Sequence, residues 1–301
     1  MTVVGAGSYR YEPLYDWPTV PAEWTLDNPG AAAVNGRGDV FVLCRNDHHP
    51  VTVWTADGRF LGSWGAGMFS AVPHGIHIDA ADRVWITDRD FHTVTRFAPD
   101  GAVELVLGRR LAPSPTCDGR VVKSRPFNMP TNVATTPDGE IFAADGYGNH
   151  KVHRFAPDGA LLLSWGRQGA GPGAFELVHN VAVDGSGRVF VCDDENDRVQ
   201  IFTADGTFLD AWAFANPSGI CIRDDIVHVS ELQPFRDAAL GPGRCRVSLW
   251  TLDRTLLADW RGIDGPGHDL MRGGHDLCVD AAGDIYLCEG NDGRVVKFRR
   301  L

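Results

Sequence analysis

Apolar and polar residues alternate along most of this chain in short runs, and the runs end at turn signals. Val152-His153-Arg154-Phe155 leads into Ala156-Pro157-Asp158-Gly159, and a second run follows that ends in Trp165-Gly166. Asp-Gly between two runs of period two is the signal of a β-hairpin. The phrase recurs as Thr55-Ala56-Asp57-Gly58, Ala98-Pro99-Asp100-Gly101 and Thr203-Ala204-Asp205-Gly206, with a degenerate copy at Thr251-Leu252-Asp253-Arg254. Other downstream runs end in Trp64-Gly65, Trp212 and Trp260. Upstream of each hairpin lies another pair of runs joined by a glycine-containing turn, as in residues 181–184, Gly185-Ser186-Gly187 and residues 188–192. No segment carries a sustained helical period.

Each unit therefore holds four short strands in roughly 45 residues, the length of a propeller blade. Six units are legible, at about 24–66, 67–110, 124–170, 171–214, 215–262 and 268–301. The expected fold is all-β, a six-bladed β-propeller of four-stranded blades forming one domain over residues 1–301. The sixth unit stops at Phe298-Arg299-Arg300-Leu301 and lacks an outer strand. The unassigned, strand-like stretch from Tyr9 to Trp17 is predicted to supply it and close the ring. Two insertions rich in Pro, Gly and Arg, 109–123 and 231–243, are the expected loops over one face.

Composition narrows the function classes. The chain has 301 residues, 44% hydrophobic and 22% charged, as ordinary globular proteins do. Its net charge of −11, without a basic cluster, argues against nucleic acid and anionic membranes as partners. No apolar run is long enough to span a bilayer, and residues 1–15 lack the pattern of a signal peptide. Seven cysteines have no framework spacing, and Cys44, Cys192, Cys278 and Cys288 fall in apolar runs. Buried free thiols in a cytoplasmic protein are the expectation.

Histidine carries the candidate chemistry. His74, His179 and His275 each stand five residues before an Asp that opens a turn (Asp79, Asp184, Asp280), and nine residues further on lies an acid (Asp88, Asp193, Glu289). At this register the six units read Gly30, His74, Thr131, His179, Ser218 and His275. In a closed ring of six blades each blade turns by about 60°, so alternate blades stand about 120° apart around the channel. Three imidazoles with one open position are the ligand set of a catalytic zinc. A single histidine in an apolar strand is more often a packed core residue, but packing alone does not select alternate repeats. His77, His92, His150, His153 and His228 break the register and are expected on strand surfaces or turns, while His48-His49-Pro50 is a loop cluster that could border the site.

The acidic register reads Cys44, Asp88, Asp145, Asp193, Glu231 and Glu289. These acids are expected to bond the backbone of neighbouring turns. The first unit replaces the acid with Cys44 and places Arg45 after it; the third follows Asp145 with Gly146-Tyr147-Gly148.

These residues together resemble the NHL-repeat propellers and, more narrowly, the peptidyl-alpha-hydroxyglycine alpha-amidating lyase family. Pro73-His74-Gly75 with Trp85-Ile86-Thr87-Asp88, His179-Asn180 with the run from Cys192 to Gln200, and His275-Asp276 are similar to its three zinc-histidine segments. Asp145-Gly146-Tyr147 is similar to the segment with its catalytic tyrosine, and Cys44-Arg45 to the one with its active-site arginine. The resemblance implies Zn²⁺ on His74, His179 and His275, catalysis by Tyr147 and Arg45, and a structural Ca²⁺ to which Asp276 contributes. Gly148 stands where that family usually has a cysteine, and Gly273 where a methionine is usual.

The implied activity is a zinc-dependent carbon–nitrogen lyase. It would cleave an N-(alpha-hydroxyalkyl) amide, an N-acyl- or carbamoyl-alpha-hydroxyglycine or short-peptide carbinolamide, into an amide and a glyoxylate-type aldehyde. Two other readings stand beside it: a metal-dependent hydrolase such as a propeller lactonase, and a non-catalytic NHL scaffold.

Overall fold

The computed structural model describes residues 2–23, 25–115, 121–232, 245–261 and 273–301. They form six antiparallel sheets with almost no helix, and the fold class is the expected all-β six-bladed propeller. The unit limits placed at 24, 262 and 268, and the predicted loop residues 116–120 and 233–243, lie outside the described residues. Among the described residues no helix is long and apolar enough to cross a membrane.

The chain divides into two compact units. One comprises Gly65–Phe214 and holds the second, third and fourth blades. Their strands are Pro73–Ile78, Val84–Asp88, Thr93–Phe97 and Val103–Gly108; then Asn132–Thr135, Ile141–Asp145, Lys151–Phe155 and Leu161–Trp165; then Val178–Val183, Val189–Asp193, Arg198–Phe202 and Phe208–Ala213. Strands consecutive in sequence are neighbours in these three sheets, so each of these blades is a meander. The apolar positions of the alternating runs meet between blades. Trp85, Leu107, Phe127, Ile141 and Phe155 form one cluster, and Phe142, Phe175, Val181, Val189 and Phe202 another. Each such buried side chain contributes about 1.5–3 kcal/mol.

The other unit comprises Met1–Trp64 and Ala215–Leu301. It holds the first blade (Pro29–Val34, Val40–Cys44, Val51–Trp54, Phe60–Trp64), the fifth (Pro217–Arg223, Ile226–Glu231, Arg246–Thr251, Leu256–Arg261) and the sixth (Gly274–Val279, Ile285–Glu289, Arg294–Arg300). The strand Tyr9–Leu14 completes the sixth blade as predicted, pairing Tyr11 with Arg300 and Pro13 with Phe298. A further strand, Val4–Ala6, turns back on it through Gly7-Ser8 and makes this sheet five-stranded. Alternation over three residues is too short to predict that strand; burial of Val4 beside Tyr11 and Trp260 holds it in place. In the degenerate hairpin, Arg254 adopts φ 71°, a conformation disfavoured for any residue with a Cβ. The six described cysteines are free thiols, and Cys44, Cys192, Cys278 and Cys288 are buried.

Candidate functional site

The histidine register coincides with a defect in strand pairing. In the second blade Pro73 pairs with Asp88 but Gly75 with Thr87, so His74 is an extra residue on the innermost strand. The same one-residue slip falls at His179, between Val178↔Asp193 and Asn180↔Cys192, and at His275, between Gly274↔Glu289 and Asp276↔Cys288. Gly30 and Ser218 occupy it in the first and fifth blades. In the third blade Thr131 directly precedes the strand, and its N–H donates to the Ala144 carbonyl (2.9 Å). A bulge frees one side chain from the alternation of the strand and re-aims it. One register therefore repeats through the blades without belonging to either face of the sheet.

Within the unit Gly65–Phe214, His74 and His179 are both buried. Their ring centroids lie 4.9 Å apart, inclined at 67°, and one ring nitrogen of each lies within 4.8 Å of the other. The Nδ1–H of His74 donates to the Thr131 carbonyl (2.9 Å). A carbonyl only accepts, so this bond selects the tautomer and leaves an Nε2 lone pair. The Tyr147 hydroxyl donates to that Nε2 (3.3 Å), and its ring centroid lies 5.6 Å from His74 and 6.3 Å from His179. In the other unit the Nδ1–H of His275 donates to the Gly30 carbonyl (2.7 Å). Thus two histidines of the register each bond the carbonyl at the same register of the following blade.

The intervening residues answer this pattern. Thr131 Oγ1 donates to the carbonyl of Val178, directly before His179 (2.9 Å). Ser218 Oγ donates to the carbonyl of Gly274, directly before His275 (2.6 Å). Each hydroxyl pins the backbone that carries the next imidazole.

Tyr147 is brought to the pair by a close backbone approach. A Cβ on Gly146 would stand 2.0 Å from the Val178 carbonyl oxygen, so only glycine lets this loop lie flat against the strand bearing His179. Gly148 donates its N–H to the Asn128 carbonyl (3.0 Å), and a Cβ there would meet Asn128 Cγ at 2.4 Å. A cysteine at 148 thus has no room beside Asn128.

Arg45 and Asp276 lie in the other unit. Arg45 follows the strand Val40–Cys44, is half-buried, and donates its N–H to the Asp27 carbonyl (3.0 Å). Burial pushes the neighbouring Cys44 thiol up to about 12, which keeps it protonated and a poor ligand at neutral pH. Asp276 is buried beside the His275 bulge, and its Oδ1 accepts the Leu277 N–H (2.8 Å).

Arg89 was missed in the sequence. Its Cζ lies 5.3 Å from the Tyr147 ring centroid, and its Nε donates to Asp90 Oδ1 (2.8 Å). The signal was present: Arg89 follows the acidic register in the second blade as Arg45 follows it in the first. Four of the acids bond the backbone of neighbouring turns as expected. Asp88 accepts the Ser70 N–H (2.7 Å), Asp145 that of Asn128 (2.9 Å), Asp193 that of Glu176 (2.9 Å) and Glu231 that of Ala215 (2.7 Å).

Two histidines depart from expectation. His153 and His228 are buried rather than on strand surfaces. His153 bridges Asp145 Oδ2 (3.0 Å) and Ser164 Oγ (2.7 Å), because the buried carboxylate needs a partner on the adjacent strand. His92 and His150 do occupy turns, with φ of 58° and 53°. His49 bonds Ser63 on the outer strand of its blade (2.8 Å).

Residues 127–155 match the NHL repeat. The chain is 30% identical over 261 residues to a Caenorhabditis elegans protein named as a probable peptidyl-alpha-hydroxyglycine alpha-amidating lyase, covering 83% of this chain and 70% of that protein. It is 33% identical over 278 residues to peptidyl-alpha-hydroxyglycine alpha-amidating lyase 1 of Drosophila melanogaster, covering 81% of this chain and 47% of the fly protein. It spans between 23% and 62% of the length of the first curated relatives it matches. Among solved structures, a gluconolactonase of Xanthomonas campestris superposes with a TM-score of 0.64 at 18% identity, over 97% of this chain and 90% of the other, a likeness of fold alone.

Proposed function

The chain belongs to the peptidyl-alpha-hydroxyglycine alpha-amidating lyase family of NHL-repeat propellers, and on that premise we propose that it is a zinc-dependent carbon–nitrogen lyase. Its substrate is an N-acyl- or carbamoyl-alpha-hydroxyglycine or a related carbinolamide, and its products are an amide and a glyoxylate-type aldehyde. The observation that carries the reading is the contact of the Tyr147 hydroxyl with Nε2 of His74, beside His179.

His74, His179 and His275 would hold the zinc. The donor set fits: imidazole suits this metal, and Nδ1 of both His74 and His275 is engaged by a backbone carbonyl, the outer bond that metal-ligating histidines usually make. A zinc ion held there supplies Lewis acidity to the substrate hydroxyl. A calcium ion needs six to eight oxygens, of which Asp276 would supply one carboxylate, and no step depends on it.

The reaction breaks one O–H and one C–N bond and forms one C=O and one N–H bond. No electrons are gained or lost, and one proton passes from oxygen to nitrogen. A single group able to accept and then release a proton serves both ends, and Tyr147 is that group. Arg45 would clamp the substrate carboxylate through its planar guanidinium. A reducing cytoplasm suits the free thiols.

The test is turnover of N-acetyl-alpha-hydroxyglycine in ¹⁸O-labelled water, with the amide product analysed by mass. Elimination releases glyoxylate and an unlabelled amide. Label in acetate, released only if the amide bond is cleaved by water, would identify a hydrolase, the chemistry of the lactonase reading; label in glyoxylate is not diagnostic, because its aldehyde exchanges oxygen with water.

A further inference from the structure

We propose that the cleft beside Tyr147 is the subsite for the acyl half of the substrate and selects an acyl group that bears a carboxylate. This deepens the lyase reading and rests on it. The cleft has a volume of about 530 Å³ and is lined by Tyr147, His150, Lys151, Arg167, Gln168 and Pro115 among others. That size is ordinary for a small-molecule site. Tyr147 forms one wall, and in the proposed reaction the phenol protonates the departing nitrogen. The acyl group attached to that nitrogen therefore extends past Tyr147.

The charge of the lining is unlike that of the chain. The protein carries −11, yet among the described residues the lining includes Lys151 and Arg167 and no Asp or Glu. The Lys151 ammonium is anchored by donating to the Gly166 carbonyl (2.9 Å). Burial draws its pKa below the ordinary lysine value, and Asp145 acts in the opposite sense. That carboxylate is already engaged with the Asn128 N–H and the His153 ring. Arg167 is exposed and forms no ion pair among the described residues. Glu176 is held through Oε1 by Gln168 Nε2 (3.1 Å), and its carbonyl accepts the His150 Nδ1–H (2.7 Å). The cleft thus offers cations to an anion that reaches it from the nitrogen side of Tyr147.

The experiment compares binding of N-succinylglycine and N-acetylglycine to the zinc-loaded full chain by calorimetry. Both lack the hydroxyl and are not cleaved. The succinyl compound is expected to bind about tenfold tighter at low salt, with a gap that narrows as salt is added. Arg167→Gln and Lys151→Met should each reduce the gap several-fold. Equal affinities, no measurable binding of either compound, or a preference that survives both substitutions would overturn the assignment. Glyoxylate release from the two corresponding alpha-hydroxyglycines is read separately. No release alongside an intact preference removes the lyase reading and leaves the anion subsite standing, whereas release without a preference removes the subsite alone.

Discussion

The Nδ1–H of His74 donates to the carbonyl of Thr131 at 2.9 Å, and the hydroxyl of Thr131 in turn donates to the carbonyl before His179 at 2.9 Å. One threonine thereby orients an imidazole on the preceding blade and the backbone of another on the following blade. The hydroxyl contributes only the second of these bonds. Thr131→Val keeps the shape and the carbonyl, so it should weaken zinc binding about tenfold, as outer-shell changes do, and cost about 1–2 kcal/mol of stability. Competition with a chromophoric chelator reads the first effect and urea unfolding the second. Wild-type zinc affinity in the variant would remove Thr131 from the support of the site.

Tyr147→Phe deletes the proton-transfer group and leaves the three imidazoles in place. Turnover should fall by about 10²–10⁴-fold with zinc content unchanged. A variant that retains most of its turnover would require another proton carrier.

Arg89 places a cation 5.3 Å from the Tyr147 ring. Such a contact is worth about 0.5–1 kcal/mol when partly exposed. Arg89→Met should lower kcat/KM about three- to fivefold, and Arg89→Lys should recover part of the loss. Equal rates for the methionine and lysine variants would mean that the charge plays no part.

Stability should depend on pH through His228. Burial holds its imidazole down to about 4, against an ordinary value of 6.5. Between these values the unfolded chain takes up a proton that the folded chain does not, so stability is intact above pH 6.5 and declines as pH falls toward 4. The loss from this one group reaches about 3 kcal/mol. Urea unfolding from pH 7.5 to 4.5 should show that decline in the wild type and a flatter profile in His228→Asn. Parallel profiles would assign the acid sensitivity to other groups.

Much of this arrangement could be read in advance because hairpins leave a local signature. The Asp-Gly phrases and terminal tryptophans reported the blade count, and the missing outer strand after Phe298 pointed to Tyr9–Leu14. The histidine register was visible as a spacing, but the bulge that produces it was not. A bulge is a relation between two strands, and Pro73↔Asp88 against Gly75↔Thr87 leaves no mark on either strand alone. Arg89 was overlooked because its contact runs to a loop of the next blade. His153 was misplaced for the same kind of reason, since its partner Asp145 is buried on the neighbouring strand. Non-local polar satisfaction, not local periodicity, decides such positions.

The central claim is that one zinc ion on the three register histidines supports cleavage of the carbinolamide. The most direct measurement pairs elemental analysis with glyoxylate release for the wild type and for His74→Ala, His179→Ala and His275→Ala. The account predicts about one zinc per wild-type chain, loss of metal and activity together in every variant, and activity restored to chelator-treated wild type by zinc. Full glyoxylate release from any of the three variants after chelation would contradict it.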